Sequence, residues 1–107
     1  MDKGFLKKVV EILKQNSYRY SLEGFINDGR YYVREIFIYN CEDADKIKKL
    51  FEHDTLKQLK VGKSYSWYLG DRRKAILIKL KTKVELSIAQ FESMQTSNYA
   101  EDDVLNA

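Results

Sequence analysis

The 107 residues of this chain allow one modest hydrophobic core and exclude two, and the single cysteine, Cys41, excludes an internal disulfide framework. No apolar run approaches the roughly 20 residues of a membrane span, and nothing at the amino terminus reads as a signal sequence, so a reduced, cytoplasmic setting is expected. The net charge of +3 is unevenly spread: of the 16 acids, four (Glu92, Glu101, Asp102, Asp103) lie in 92–107 with no Lys or Arg, leaving 19 basic groups against the other 12 on residues 1–91.

The first segment, Phe5 to Leu13, fits two periods. Phe5, Leu6, Val9, Val10 and Leu13 share a helical face opposite Lys7, Lys8 and Glu11, while Val9, Glu11 and Leu13 alternate with Val10 and Ile12 as a strand does. Both readings stand at this level. Tyr18 to Ile26 sets Tyr18, Tyr20, Leu22 and Ile26 against Arg19, Ser21, Glu23 and Phe25, which is a strand pattern. Asn27, Asp28 and Gly29 give a hairpin turn, because Asp-Gly suits positive backbone angles. A returning strand runs from Arg30 to Asn40.

Glu42, Asp43 and Asp45 supply acid to a first helical turn, and Ala44, Ile47, Leu50, Phe51, Leu56 and Leu59 recur at helical spacing. A helix from about Asp43 to Lys60 is predicted. If it breaks near His53, Asp54 is placed to cap a second piece. Gly62 ends it, and Lys63 to Leu69 alternates Tyr65, Trp67 and Leu69 against Ser64, Ser66 and Tyr68. After a turn at Gly70 and Asp71, a strand from Lys74 to Leu86 points Ile76, Ile78, Leu80, Val84 and Leu86 one way, with Lys79, Lys81 and Lys83 on the other as a protective charged face, a role preferred to phosphate binding. Beyond Phe91 the apolar period is lost, which divides the chain into a domain at 1–91 and an acidic mobile tail at 92–107.

Counting the first segment as a strand gives five strands with the helix between the third and fourth. That order, the Val61-Gly62-Lys63 step into the fourth strand, the absence of proline, the Lys-rich body and the acidic end resemble OB-fold single-stranded DNA-binding proteins, particularly compact phage-type ones. The resemblance implies a mainly β fold with one helix, a five-stranded OB-type barrel. Counting the first segment as a helix leaves instead an α+β domain with an N-terminal helix. The resemblance further implies sequence-independent binding of single-stranded DNA in replication or recombination, in the host cytoplasm if phage-encoded, with RNA not excluded. It makes Glu101, Asp102, Asp103, Val104 and Leu105 a tip that recruits replication or repair proteins, although the Pro-Phe ending of the bacterial tip is missing.

The residues supply what that function needs, aromatic faces for unpaired bases and cations for phosphates. The candidates are Arg19 and Tyr20; Arg30, Tyr31, Tyr32, Arg34 and Phe37; Lys63 and Trp67; and Arg72, Arg73 and Lys74 as groove walls. About half the tyrosines are needed for the core, and Trp67 stands between core and base stacking. The surplus of aromatics also favours a homo-oligomer. A competing reading from another class is a protein-interaction module, an inhibitor or adaptor that grips a protein with the same strands. Catalysis is not expected: His53 and Cys41 are single and far apart, one Cys and one His cannot build a zinc site, and Gly24 and Gly29 precede strands where a phosphate loop precedes a helix. No cofactor is expected.

Overall fold

The computed structural model describes residues 2–95. The first segment is a helix, α1 (Lys3–Gln15), started by the Asp2 carboxylate accepting from the Phe5 N–H at 2.8 Å. Leu6, Val9, Val10 and Leu13 are buried on its inner face, and burying an aliphatic side chain of this size contributes about 1.5–3 kcal/mol. The strand alternative would have put Glu11 on one face with Val9 and Leu13, and the helix removes that conflict.

β1 (Arg19–Asn27) and β2 (Arg30–Tyr39) form the predicted hairpin, with Asp28 and Gly29 at φ 50° and 72° in the turn. The predicted single helix is two short ones, α2 (Ala44–Lys48) and α3 (His53–Leu56). Asp43 caps α2 by accepting from the Lys46 N–H at 3.1 Å. The break follows from Leu50 and Phe51, whose N–H groups bond three residues back to Ile47 and Lys48 and so tighten the turn, tucking Phe51 into the core. Glu52, not Asp54, holds the N-cap position of α3 and makes no side-chain cap bond. Leu59 and Lys60 already belong to β3 (Leu59–Tyr68), which Leu69 and Gly70 join to the long β4 (Asp71–Ser87).

A fourth helix, α4 (Ile88–Gln95), continues past Phe91, where the sequence was expected to lose its period. It starts with a reciprocal capping box: the Gln90 N–H donates to Ser87 Oγ and the Ser87 N–H to Gln90 Oε1. Met94 and Gln95 tie its end to β1, since the Tyr20 hydroxyl donates to the Met94 carbonyl and the Leu22 N–H to Gln95 Oε1.

The four strands form one open antiparallel sheet in the order β1-β2-β4-β3. The expected five-stranded closed barrel does not form, because its first strand is α1 and the two edges, β1 and β3, do not meet. Tyr20, Leu22, Val33, Ile36, Ile38, Ile76, Ile78, Leu80, Val84 and Leu86 share one sheet face and make a single core with α1, Ile47 and Phe51. Phe25, Tyr32, Phe37, Tyr39 and Leu77 take the opposite register and lie outside that core. The molecule is therefore two layers, helices on one face and an open sheet face on the other.

Two irregularities interrupt the ladder. Between β1 and β2 the register shifts at Glu23/Gly24, where a Cβ on Gly24 would overlap the Tyr32 carbonyl oxygen. Between β2 and β4 it jumps from Val33↔Val84 to Glu35↔Lys79, leaving Arg34 opposite Leu80–Lys83 and without a register partner in either ladder. The excursion spans an even number of residues, so β4 keeps its alternation across it and Lys79, Lys81 and Lys83 stay exposed on the side opposite buried Leu80 and Val84, as expected.

Candidate nucleic-acid interface

The bulge shapes the most distinctive part of the open face. Arg34, Lys79, Lys81 and Lys83 surround Phe25 in a depression of about 540 Å³, with Glu35 as the acid among its lining residues. Phe25 stacks on Tyr32 with ring centroids 5.2 Å apart and planes at 16°. The Arg34 guanidinium carbon is 6.0 Å from the Phe25 ring centre, and Lys83 Nζ is 5.6 Å from Phe25 and 5.1 Å from Tyr32. The hairpin register explains the pairing, since Asn27↔Arg30 at the turn sets Phe25 opposite Tyr32. β1 itself alternates without interruption, which puts Phe25 on the face of Arg19, and the extra residue of the bulge is Arg34 on β2.

Tyr32 is oriented by its hydroxyl, which donates to Glu85 Oε1 at 3.1 Å, and that hydrogen bond raises its pKa. The same carboxylate oxygen lies 2.9 Å from Arg30 Nε, an ion pair without hydrogen-bond alignment. Farther along β2, Phe37 and Tyr39 lie nearly parallel, 6.3 Å between centroids and 13° between planes. The Tyr39 hydroxyl shares a 2.6 Å hydrogen bond with Ser21 Oγ, and burial raises its pKa. Arg19 stands opposite Tyr39 in register on the same face.

The predicted site residues thus divide among three places. Arg19, Arg30, Tyr32, Arg34 and Phe37 belong to the open face, with Arg73 in its register at the far end of the β3–β4 hairpin, opposite Ser66. Tyr20 and Tyr31 leave the candidate set. Tyr20 is 1 % exposed in the core, and Tyr31, on the helix side, stacks on Phe91 at 3.6 Å, where burial raises its pKa. Lys63, Trp67, Arg72 and Lys74 lie on the helix-side register of the hairpin. There Arg72 stacks 3.7 Å over Tyr65, and Lys74 pairs with Glu42 at 3.0 Å, a hydrogen-bonded contact that raises the Lys74 pKa. Arg72, Arg73 and Lys74 alternate faces, so they do not form one groove wall. Trp67 is 73 % exposed and is not a core residue. Glu101, Asp102, Asp103, Val104 and Leu105 lie outside the described residues.

Sequence reasoning left Phe25 and Tyr39 out of the candidate set and preferred a protective role for Lys79, Lys81 and Lys83 over phosphate binding. The turn register signalled Phe25, whereas the four-residue excursion of β4 had no sequence signature. Among the described residues, no cluster of His, Cys, Asp and Glu is arranged to hold a metal ion, and no helix is long and apolar enough to cross a membrane. Comparison of the chain with protein-family models, with curated proteins and with solved structures gives no match.

Proposed function

We propose that the open sheet face binds single-stranded nucleic acid, DNA in the first instance, by base stacking and phosphate attraction without base-specific readout. The observation that carries this reading is the bulge depression, in which Arg34, Lys79, Lys81 and Lys83 surround Phe25, itself stacked on Tyr32 at the rim. An unpaired base gains about 1–3 kcal/mol on an aromatic platform, and four cations against one carboxylate favour a polyanion there. Phe37 and Tyr39 extend the platform toward the other end of the face, beside Arg19. Duplex DNA keeps its bases stacked inside and cannot use the rings, so the face discriminates by strandedness.

The test is a titration of labelled oligo-dT and of a duplex of equal length, followed by anisotropy and gel shift at low and moderate salt. The single strand should bind more tightly, and its binding should weaken as salt rises. Absence of binding at low salt, or equal affinity for the duplex, refutes the reading. Under the competing protein-interaction reading neither oligonucleotide binds.

A further inference from the structure

The two edges of the sheet are finished differently. β1 is closed by the Leu22 N–H donating to Gln95 Oε1 at 2.6 Å and by the bulge at Glu23/Gly24. β3 has neither device. The Lys81 N–H donates to the Gln58 carbonyl at 3.0 Å, which marks Gln58 and Lys81 as a hydrogen-bonded pair. The register then runs unbroken from Leu59↔Leu80 to Tyr68↔Asp71. The main-chain groups of Lys60, Gly62, Ser64 and Ser66 accordingly point to β4, and those of Val61, Lys63, Tyr65 and Trp67 point outward. Among the described residues no strand pairs with this outer row. Beside it, Tyr65, Trp67 and Leu69 are 51 %, 73 % and 72 % exposed.

We propose that β3 pairs with β3 of a second copy of this chain, antiparallel about a two-fold axis, joining two four-stranded sheets into one. An antiparallel edge is complementary to itself under such an axis, so a second copy fits it without any further design. The side chains limit the register. Residues directly opposite share a face, so the axis must pass through a residue, and an axis at Lys63 would set two lysines against each other. An axis at Ser64 instead pairs Lys63 with the partner's Tyr65 and Val61 with the partner's Trp67. The outward groups of these residues then form about eight main-chain hydrogen bonds. With an aromatic side chain taken as about 150–250 Å², Trp67 and Tyr65 expose roughly 300 Å² per copy at their observed fractions. Two copies supply about half of the roughly 1,200 Å² at which specific interfaces begin, and Leu69 and the strand edges add to it. The joined sheet keeps both helix layers on one side and leaves Phe25, Arg34 and Lys83 free on the other, so this interface does not depend on the nucleic-acid reading.

The experiment is sedimentation equilibrium of the full chain over a range of concentrations, with the emission of Trp67, the single tryptophan, recorded in parallel. The wild type should be dimeric at micromolar concentration, with Trp67 emission shifting to the red on dilution. Lys63→Pro removes an outward N–H that no bond to β4 uses, a position where an edge strand tolerates proline, and should give a monomer with unchanged circular dichroism. Trp67→Lys should also be monomeric, and it decides alone if Lys63→Pro fails to fold. A wild-type monomer at every concentration, or a dimer that survives both substitutions, overturns the proposal. So does Trp67 emission that ignores dilution and responds to oligo-dT, which would assign Trp67 to the nucleic acid.

Discussion

The salt dependence of binding gives the sharpest test of the bulge depression. If Arg34, Lys79, Lys81 and Lys83 each neutralise one phosphate of a single strand, log K falls against log salt with a slope of about −2.8, at about 0.7 per phosphate. A rise from about 50 to about 200 mM salt then costs roughly 50-fold in affinity. The double substitution Lys79→Ala, Lys81→Ala removes two of these contacts, lowering the slope to about −1.4 and the loss to roughly 7-fold. Both side chains are exposed, so neither exchange disturbs the core, and Lys83 keeps its place over Phe25 and Tyr32. Anisotropy of labelled oligo-dT in a salt series measures the slope, and Lys7→Ala, Lys8→Ala on the outer face of α1 is the control that should leave it unchanged. A slope that stays the same in the Lys79, Lys81 variant, or that falls equally in the control, refutes the placement of the phosphates.

Three further outcomes follow from the same geometry. Phe25→Ala should weaken oligo-dT binding by about 1–3 kcal/mol with little change in melting temperature, because Phe25 lies outside the core; a large stability loss with intact affinity would contradict its role as a stacking platform. Gly24→Ala should destabilise the fold by about 1–3 kcal/mol, since the new Cβ collides with the Tyr32 carbonyl; an unchanged urea midpoint would mean that the strands separate there at no cost. Burial holds the Tyr39 pKa above its ordinary 10.0, so the folded state keeps a proton that the unfolded chain loses. Stability present below about pH 10 is therefore lost as pH rises through the folded value. Melting from pH 8 to 11 should fall less steeply in Tyr39→Phe, and identical slopes would rule out Tyr39 as a contributor.

Local signals in the sequence led to the local structure. Asp28-Gly29 marked its hairpin, and the apolar side of the last strand from Ile76 to Leu86 was read residue by residue. Phe5 to Leu13 was ambiguous because a short amphipathic run satisfies both periods when enough of it is apolar, and tertiary burial of Leu6, Val9, Val10 and Leu13 on one face settled it. The helix from Asp43 was overextended because Leu56 and Leu59 continue a helical spacing that in fact bridges a break and a new strand. Of the interface, single positions such as Arg34 and Tyr32 were legible from residue type. Their company was not: the single extra residue Arg34 reverses the parity of β2, so that Val33 and Ile36 share the core face and Tyr32 and Phe37 the open one, and nothing local in the sequence marks that step.

The order β1-β2-β4-β3 also constrains how the chain can fold as it is made. β2 and β3 never touch as neighbours, and β4 lies between them and pairs with both. A growing chain that has emerged only as far as Tyr68 contains both strands of the β1–β2 ladder but leaves β3 with no strand to pair with. Nothing can complete the sheet until Asp71–Ser87 arrives and closes two ladders at once. β4 thus carries two of the three ladders, and a defect in it damages both halves of the sheet together.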